Sequence, residues 1–248
     1  MSTYALREGL IVDSLSMVIP GYVVVDDIQR ESVRQLAQRF DTENRMDSCE
    51  HSARLAMQVV DGLCGPDSCV EAARSIDERA RGLLEAGIML HYAGMAVSHK
   101  GYHKHGYYII TNTESLLGFT PLEVEIIALL VRYQRKKAPS RKNAEIAKLP
   151  RESRNLVRVL VSVARIAVAL DRLNTANSVK MVKVLQDGTD CAILVVPNEV
   201  DGRLADVSVE IWAAREETKF FGKVFDMNLE IVESSEARIA SLDSVVSS

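Results

Sequence analysis

A change of hydrophobic period constrains this chain more than any other feature. From about residue 30 to residue 174, apolar side chains recur at three- and four-residue intervals, the spacing that gathers them on one face of an α-helix. Near residue 178 that spacing gives way to short β-branched runs bounded by turn dipeptides. The expected fold is mostly α, followed by a small α+β domain. With 248 residues, 47% of them hydrophobic, the chain can fill one large core or two modest ones, and two domains are expected.

Within the helical part, "VRQLAQRF" follows Ser32, and "CEHSARLAMQVVDGL" follows Asp47 and Ser48, residue types that cap helix starts. Between residues 72 and 91, Ile76, Ala80, Leu83, Leu84, Gly87, Ile88 and His91 fall on one stripe. "FTPLEVEIIALLVRYQR" offers Thr120 as N-cap, Pro121 at the first helical position and Glu123 three residues after the cap, a capping box with a proline start. A long helix is predicted over 153–173, with Val157, Val161, Ala164, Val168 and Asp171 along one stripe. An aspartate at the end of an apolar stripe needs a partner. Arg151, Arg158, Arg165 and Arg172 recur every seven residues and, with Arg154, are expected to make a cationic ridge on that helix.

After residue 178, "VKMVKVL" and "CAILVV" flank "QDGTD", whose Asp-Gly pair predicts a hairpin. "VDGR" predicts another turn, "DVSVEI" alternates as a strand does, "WAAREETKFFGKVF" reads as one short helix, and "MNLEIV" as a last strand. A unit of about 60 residues is marginal alone and is expected to dock on the helical part.

No run of eighteen apolar residues exists, so the sequence offers no transmembrane helix. The N-terminal apolar patch is interrupted by Glu8 and Asp13 and lacks a small-residue cleavage site, which gives a cytoplasmic expectation. The cysteines at 49, 64, 69 and 191 show no CxxC spacing. Cys64 and Cys69 bracket a turn, but free thiols are the expectation in a reducing compartment. The net charge of −4 is unevenly spread: residues 131 to 172 carry twelve Lys or Arg against Glu145, Glu152 and Asp171, a local charge of +9 that leaves −13 elsewhere. A local cationic field in an acidic chain points to an anionic ligand.

Four of the five histidines lie in "LHYAGMAVSHKGYHKHGYYII": His91, His99, His103 and His105. The order His51, His91, Asp171, each on a separate predicted helix, resembles the metal site of HD-type helical phosphohydrolases. Imidazole and carboxylate there hold a divalent ion that activates water. Tyr92 stands where that pattern has an aspartate, and a neutral phenol neither bridges two ions nor balances their charge. The expectation is a degenerate site at His51, His91 and Asp171. His99, His103 and His105, with Lys100 and Lys104, are expected in a loop that presents donors to an anion.

"STYALREGLIVD", "LHYAGMAVSHKGYHKHGYYIITN" and "LVRYQRK" together resemble the C-terminal half of the exopolyphosphatase and guanosine pentaphosphate phosphohydrolase (Ppx/GppA) family, over nearly the whole chain to about residue 233. The resemblance implies an HD-domain-like helical bundle over 21–175 and the small α+β domain over 176–233. Residues 1–20 would be a remnant of the last helix of an actin-like half; the polar, serine-rich composition of 234–248, apart from the resemblance, gives the expectation of a mobile tail. It further implies that the family's catalytic carboxylates and phosphate loops belong to that other half. This chain is therefore expected to be inactive alone and to need no cofactor, with Mg2+ expected for the parent enzyme. Its implied role is an accessory module that binds polyphosphate in a basic groove and supports a homodimer. The groove residues carried over by position are Lys100, His103, Lys104, His105, Arg132, Arg135, Lys136, Lys137 and Arg141. Two other readings compete: a divergent metal-dependent phosphohydrolase using His51, His91 and Asp171, and a nucleic-acid binder. Aromatic content of only 5% and the lack of a stacking platform weigh against the second.

Overall fold

The computed structural model describes residues 27–65, 70–173 and 178–235. The readings made on residues 1–26, on Cys69 and on the tail from 236 lie outside the described residues. Helices α1 (Ile28–Phe40), α2 (Met46–Leu63), α3 (Glu78–Met89), α4 (Tyr102–Thr111), α5 (Pro121–Tyr133), the single turn α6 (Ala144–Ala147) and α7 (Arg151–Ala169) come first. Short 3-10 segments at Glu71–Ser75 and Ala93–Ala96 flank α3. Strands β1 (Val179–Asp187), β2 (Asp190–Pro197), β3 (Glu199–Val200) and β4 (Arg203–Leu204), helices α8 (Ser208–Arg215) and α9 (Thr218–Phe225), and strand β5 (Asn228–Glu233) complete the described chain. The mostly helical class with a small α+β end is thus the observed one.

The capping box at α5 forms as its sequence requires. The Glu123 amide donates to Thr120 Oγ1 at 3.4 Å, and the Thr120 amide donates to Glu123 Oε2 at 2.8 Å. Two other starts lie upstream of the expected caps. α1 begins after Asp27, whose Oδ1 accepts from the Arg30 amide at 3.0 Å, while Ser32 sits inside the helix. α2 begins at Met46, where Asp41 reaches forward to accept from the amides of Arg45 (2.8 Å) and Met46 (3.2 Å). Ser48 is thereby free to turn its hydroxyl inward, where it donates to Asp171 Oδ2. That supplies the partner the buried aspartate needs.

β1 and β2 form the expected hairpin about Gly188 (φ +59), and β3 and β4 close over Asp201 and Gly202, both at positive φ. β5 adds to β2 in parallel, from Asp190 against Asn228 to Val195 against Glu233, giving the order β1-β2-β5. A parallel neighbour requires a crossover, and α8 with α9 supplies it. "DVSVEI" is therefore not a strand. Val207, Ile211 and Ala214 are buried at four- and three-residue spacing, a helical period that six residues of alternation disguise. The following stretch is two helices rather than one, broken at Glu216 and Glu217.

One cluster of buried side chains runs from Val33 through α2, α3, α5 and α7 to Ile231 of β5. β1 lies on α2 so closely that a Cβ on Gly62 would meet the Val184 side chain. Gln58 Oε1 accepts from the Val182 amide at 2.8 Å across the same seam. Among the described residues no helix is long and apolar enough to cross a membrane.

Candidate anion-binding site

α4 shows why "YHKHGYYII" is not the loop the glycines suggest, although His99 and Lys100 do stand in the turn that precedes it. Gly101 takes the left-handed conformation (φ +78) as N-cap, and the chain enters a helix at Tyr102. Gly94 and Gly106 are there for close approach: a Cβ on Gly94 would meet the Tyr102 carbonyl and the Gly106 amide, and one on Gly106 would meet Val131. The two glycines press α4 against the Ala93–Ala96 turn and against α5. His103, in the first turn of α4, is thereby buried beside the C-terminal end of α5.

Around His103 the structure gathers positive charge. Burial first, then Arg135, Lys136, Lys104 and Arg132, push its imidazole down to about 4, so the ring is neutral at pH 7. Its Nδ1 is buried without a hydrogen-bond partner. Aromatic rings set the two arginines: the Arg135 guanidinium lies 4.9 Å from the Tyr102 ring centroid, and that of Arg132 lies 5.2 Å from Tyr107. Arg132 is also paired with Glu145 at 2.9 Å, an acid it shares with the Tyr133 hydroxyl. Arg135 and Lys136 have no carboxylate partner among the described residues.

The end of α5 is held from below by a residue that the periodicity had assigned to a surface ridge. Arg165 is 6% exposed. Its Nη1 donates to the Tyr133 carbonyl at 2.8 Å and its Nη2 to the Lys136 carbonyl at 2.9 Å, while Glu217, between α8 and α9, takes Nε and Nη2 at 2.5 and 2.9 Å. Lys136 itself sits at φ +60, a conformation non-glycine residues hold only when their surroundings fix it. An arginine inside the apolar run "VSVARIAVA" was the available signal, since a guanidinium there demands buried acceptors. The sequence did not point to Tyr102 and Tyr107 as supports for arginines.

Of the other expected groove residues, Lys100 and Lys137 are exposed, and His105 is half-buried on α4. Arg141 is exposed and reaches α7 instead, donating to Asn155 Oδ1 at 3.1 Å. His99 pairs with Glu43 at 2.8 Å.

His51, His91 and Asp171 are all buried, on α2, after α3 and after α7. Burial holds His51 below its ordinary value while Asp171 pulls the other way, so the two interact. His91 Nδ1 faces the Ile88 carbonyl, and Nε2 of each histidine is buried without a partner. The resident charge at this place is Arg45, 4.8 Å from the Tyr92 ring and paired to Glu43 at 2.7 Å. Among the described residues no three His, Cys, Asp or Glu side chains come together as ligands. A metal does not fit this arrangement, because a guanidinium lies over the phenol where a second carboxylate would be needed.

Residues 28–206 match the family model described as Ppx/GppA phosphatase, domain III, which spans well over half of the chain. The chain belongs to the Ppx/GppA phosphatase family. That membership places the α4 and α5 cluster in a phosphatase-family module, where a site rich in arginine and lysine suits phosphoryl oxygens.

Proposed function

We propose that this chain binds polyphosphate for an exopolyphosphatase-type hydrolase of the Ppx/GppA family, with His103, Lys104, Arg135 and Lys136 as the contact site. The observation that carries this reading is His103: the charges acting most strongly on it are all positive. An anion entering there meets unpaired cations, restores proton affinity to the imidazole and turns it into a further donor. Arg132, committed to Glu145, serves as a positioning residue more than as a contact. Bond cleavage is not assigned to these residues, and the homodimer is retained as part of the proposal, to be decided by light scattering.

The test is retention of long-chain polyphosphate on a filter, across a salt series, by the chain and by Arg135→Glu/Lys136→Glu. The chain should bind with a steep salt dependence, by analogy with nucleic acids, and the variant should lose most of that affinity. Equal affinity in both would remove this site from the function.

The competing reading, metal-dependent phosphate release by the chain itself, would have to use the two buried and unpartnered histidine nitrogens despite the Arg45 guanidinium beside them. Phosphate release with manganese that a chelator abolishes would move the function to His51, His91 and Asp171.

A further inference from the structure

A second group of guanidiniums, on α7 and on the segment before α6, has no ion-pair partner among the described residues. Arg154 and Arg158 stand one turn apart on α7, and Nε of each is buried without a hydrogen-bond partner. Arg141, from the segment between α5 and α6, reaches the same turn through Asn155. Burial and then the charge of Arg141 hold the Arg158 guanidinium below its ordinary value. Nearby carboxylates do not relieve them. Glu145 is taken by Arg132 and Tyr133. Glu152 lies roughly 120–160° around α7 from Arg154 and Arg158, at about 100° per residue. No ion pair joins any of the three arginines among the described residues.

Buried N–H groups without acceptors, beside a like charge, destabilise the folded chain unless something supplies oxygens and negative charge. We propose that Arg141, Arg154 and Arg158 form an oxyanion subsite on α7 that takes a phosphate group, separate from the site at His103. That the phosphate belongs to polyphosphate rests on the function proposed above; the oxyanion chemistry of the subsite does not. Lys136 is tied through its carbonyl to Arg165, two turns along α7 from Arg158 and so roughly 10 Å away along the axis, within reach of one repeated-phosphate polymer.

The experiment compares the chain, Arg141→Gln/Arg158→Gln and Arg135→Glu/Lys136→Glu by thermal melting with inorganic phosphate, and by polyphosphate retention across salt. Phosphate should raise the melting temperature of the chain and of the second variant, and raise that of the glutamine variant by less than half as much. Without ligand the glutamine variant should melt no lower than the chain, since repulsion has been removed. Arg158→Lys, which keeps the charge and loses the fork, should fall between, and it decides the matter if the glutamine variant does not fold. The slope of log affinity against log salt for polyphosphate should fall by about 2 in the glutamine variant. An equal phosphate response in the chain and in the variants altered at Arg158 overturns the subsite, and so does a chain that phosphate does not stabilise. If the chain fails to retain polyphosphate yet its phosphate response depends on Arg158, the subsite stands and the polyphosphate function falls.

Discussion

His91 and His103 share a physical property that neither composition nor spacing reveals: both imidazoles are held at about 4, against an ordinary 6.5. Burial is the larger cause in each, with cations adding to it, Arg45 at His91 and the α4 and α5 cluster at His103. Between those pH values the unfolded chain binds protons that the folded chain refuses. Stability is therefore full above about pH 6.5 and falls as pH drops toward 4, by up to about 1.4 kcal/mol per pH unit for each ring. Urea midpoints at pH 7 and pH 5 test this, with the lower midpoint expected at pH 5; equal midpoints would mean that neither ring is depressed. Polyphosphate should move the His103 titration upward in an NMR experiment and leave His91 in place. Beside His51, His91 and Asp171, Tyr92→Asp should bind no manganese in equilibrium dialysis, because the new carboxylate meets Arg45. Stoichiometric uptake would show that His51, His91 and Asp171 still act as ligands.

At the scale of elements, α4 and α5 carry the residues of the proposed site and α7 holds the end of α5 in place. The contact between α4 and the Ala93–Ala96 turn depends on Gly94 having no side chain. Gly94→Ala should destabilise the chain by about 1–3 kcal/mol through overpacking, read as a lowered urea midpoint; an unchanged midpoint would mean that the two segments can separate freely. Arg165 joins the end of α5 to the turn before α9 through four hydrogen bonds, two of them to Glu217. Arg165→Met leaves Glu217 and two carbonyls without their donor, a change expected to cost about 3–5 kcal/mol. The same variant should weaken polyphosphate binding although Arg165 is buried, because Lys136 loses the contact that fixes its backbone. Full affinity in a folded Arg165→Met would show that the site does not need this support.

On the scale of the whole molecule, the buried cluster crosses from the helices into the sheet without a break, and α2 and β1 are joined by Gln58 and by the close approach at Gly62. The single tryptophan, Trp212 on α8, and the far-UV signal of the helices should then report one urea transition, whereas two separated midpoints would mean two independent units. Much of this architecture was legible beforehand because it is encoded locally. The capping box of α5, the hairpin at Gly188, the long apolar stripe of α7 and the change of period near residue 178 all follow from neighbours a few residues apart. The errors fell where local signals were ambiguous or distant partners intervened. "DVSVEI" is too short to separate a period of two from one of 3.6, and the glycines near His103 mark close packing rather than a loop. By itself the sequence determined the fold class, the family resemblance and the presence of a cationic stretch, since periodicity, motif and charge are properties of the chain in order. Only the tertiary structure decided which cations stay unpaired, because pairing depends on residues brought together from far apart: Arg165 with Glu217, Arg132 with Glu145, and Arg141 against Arg158.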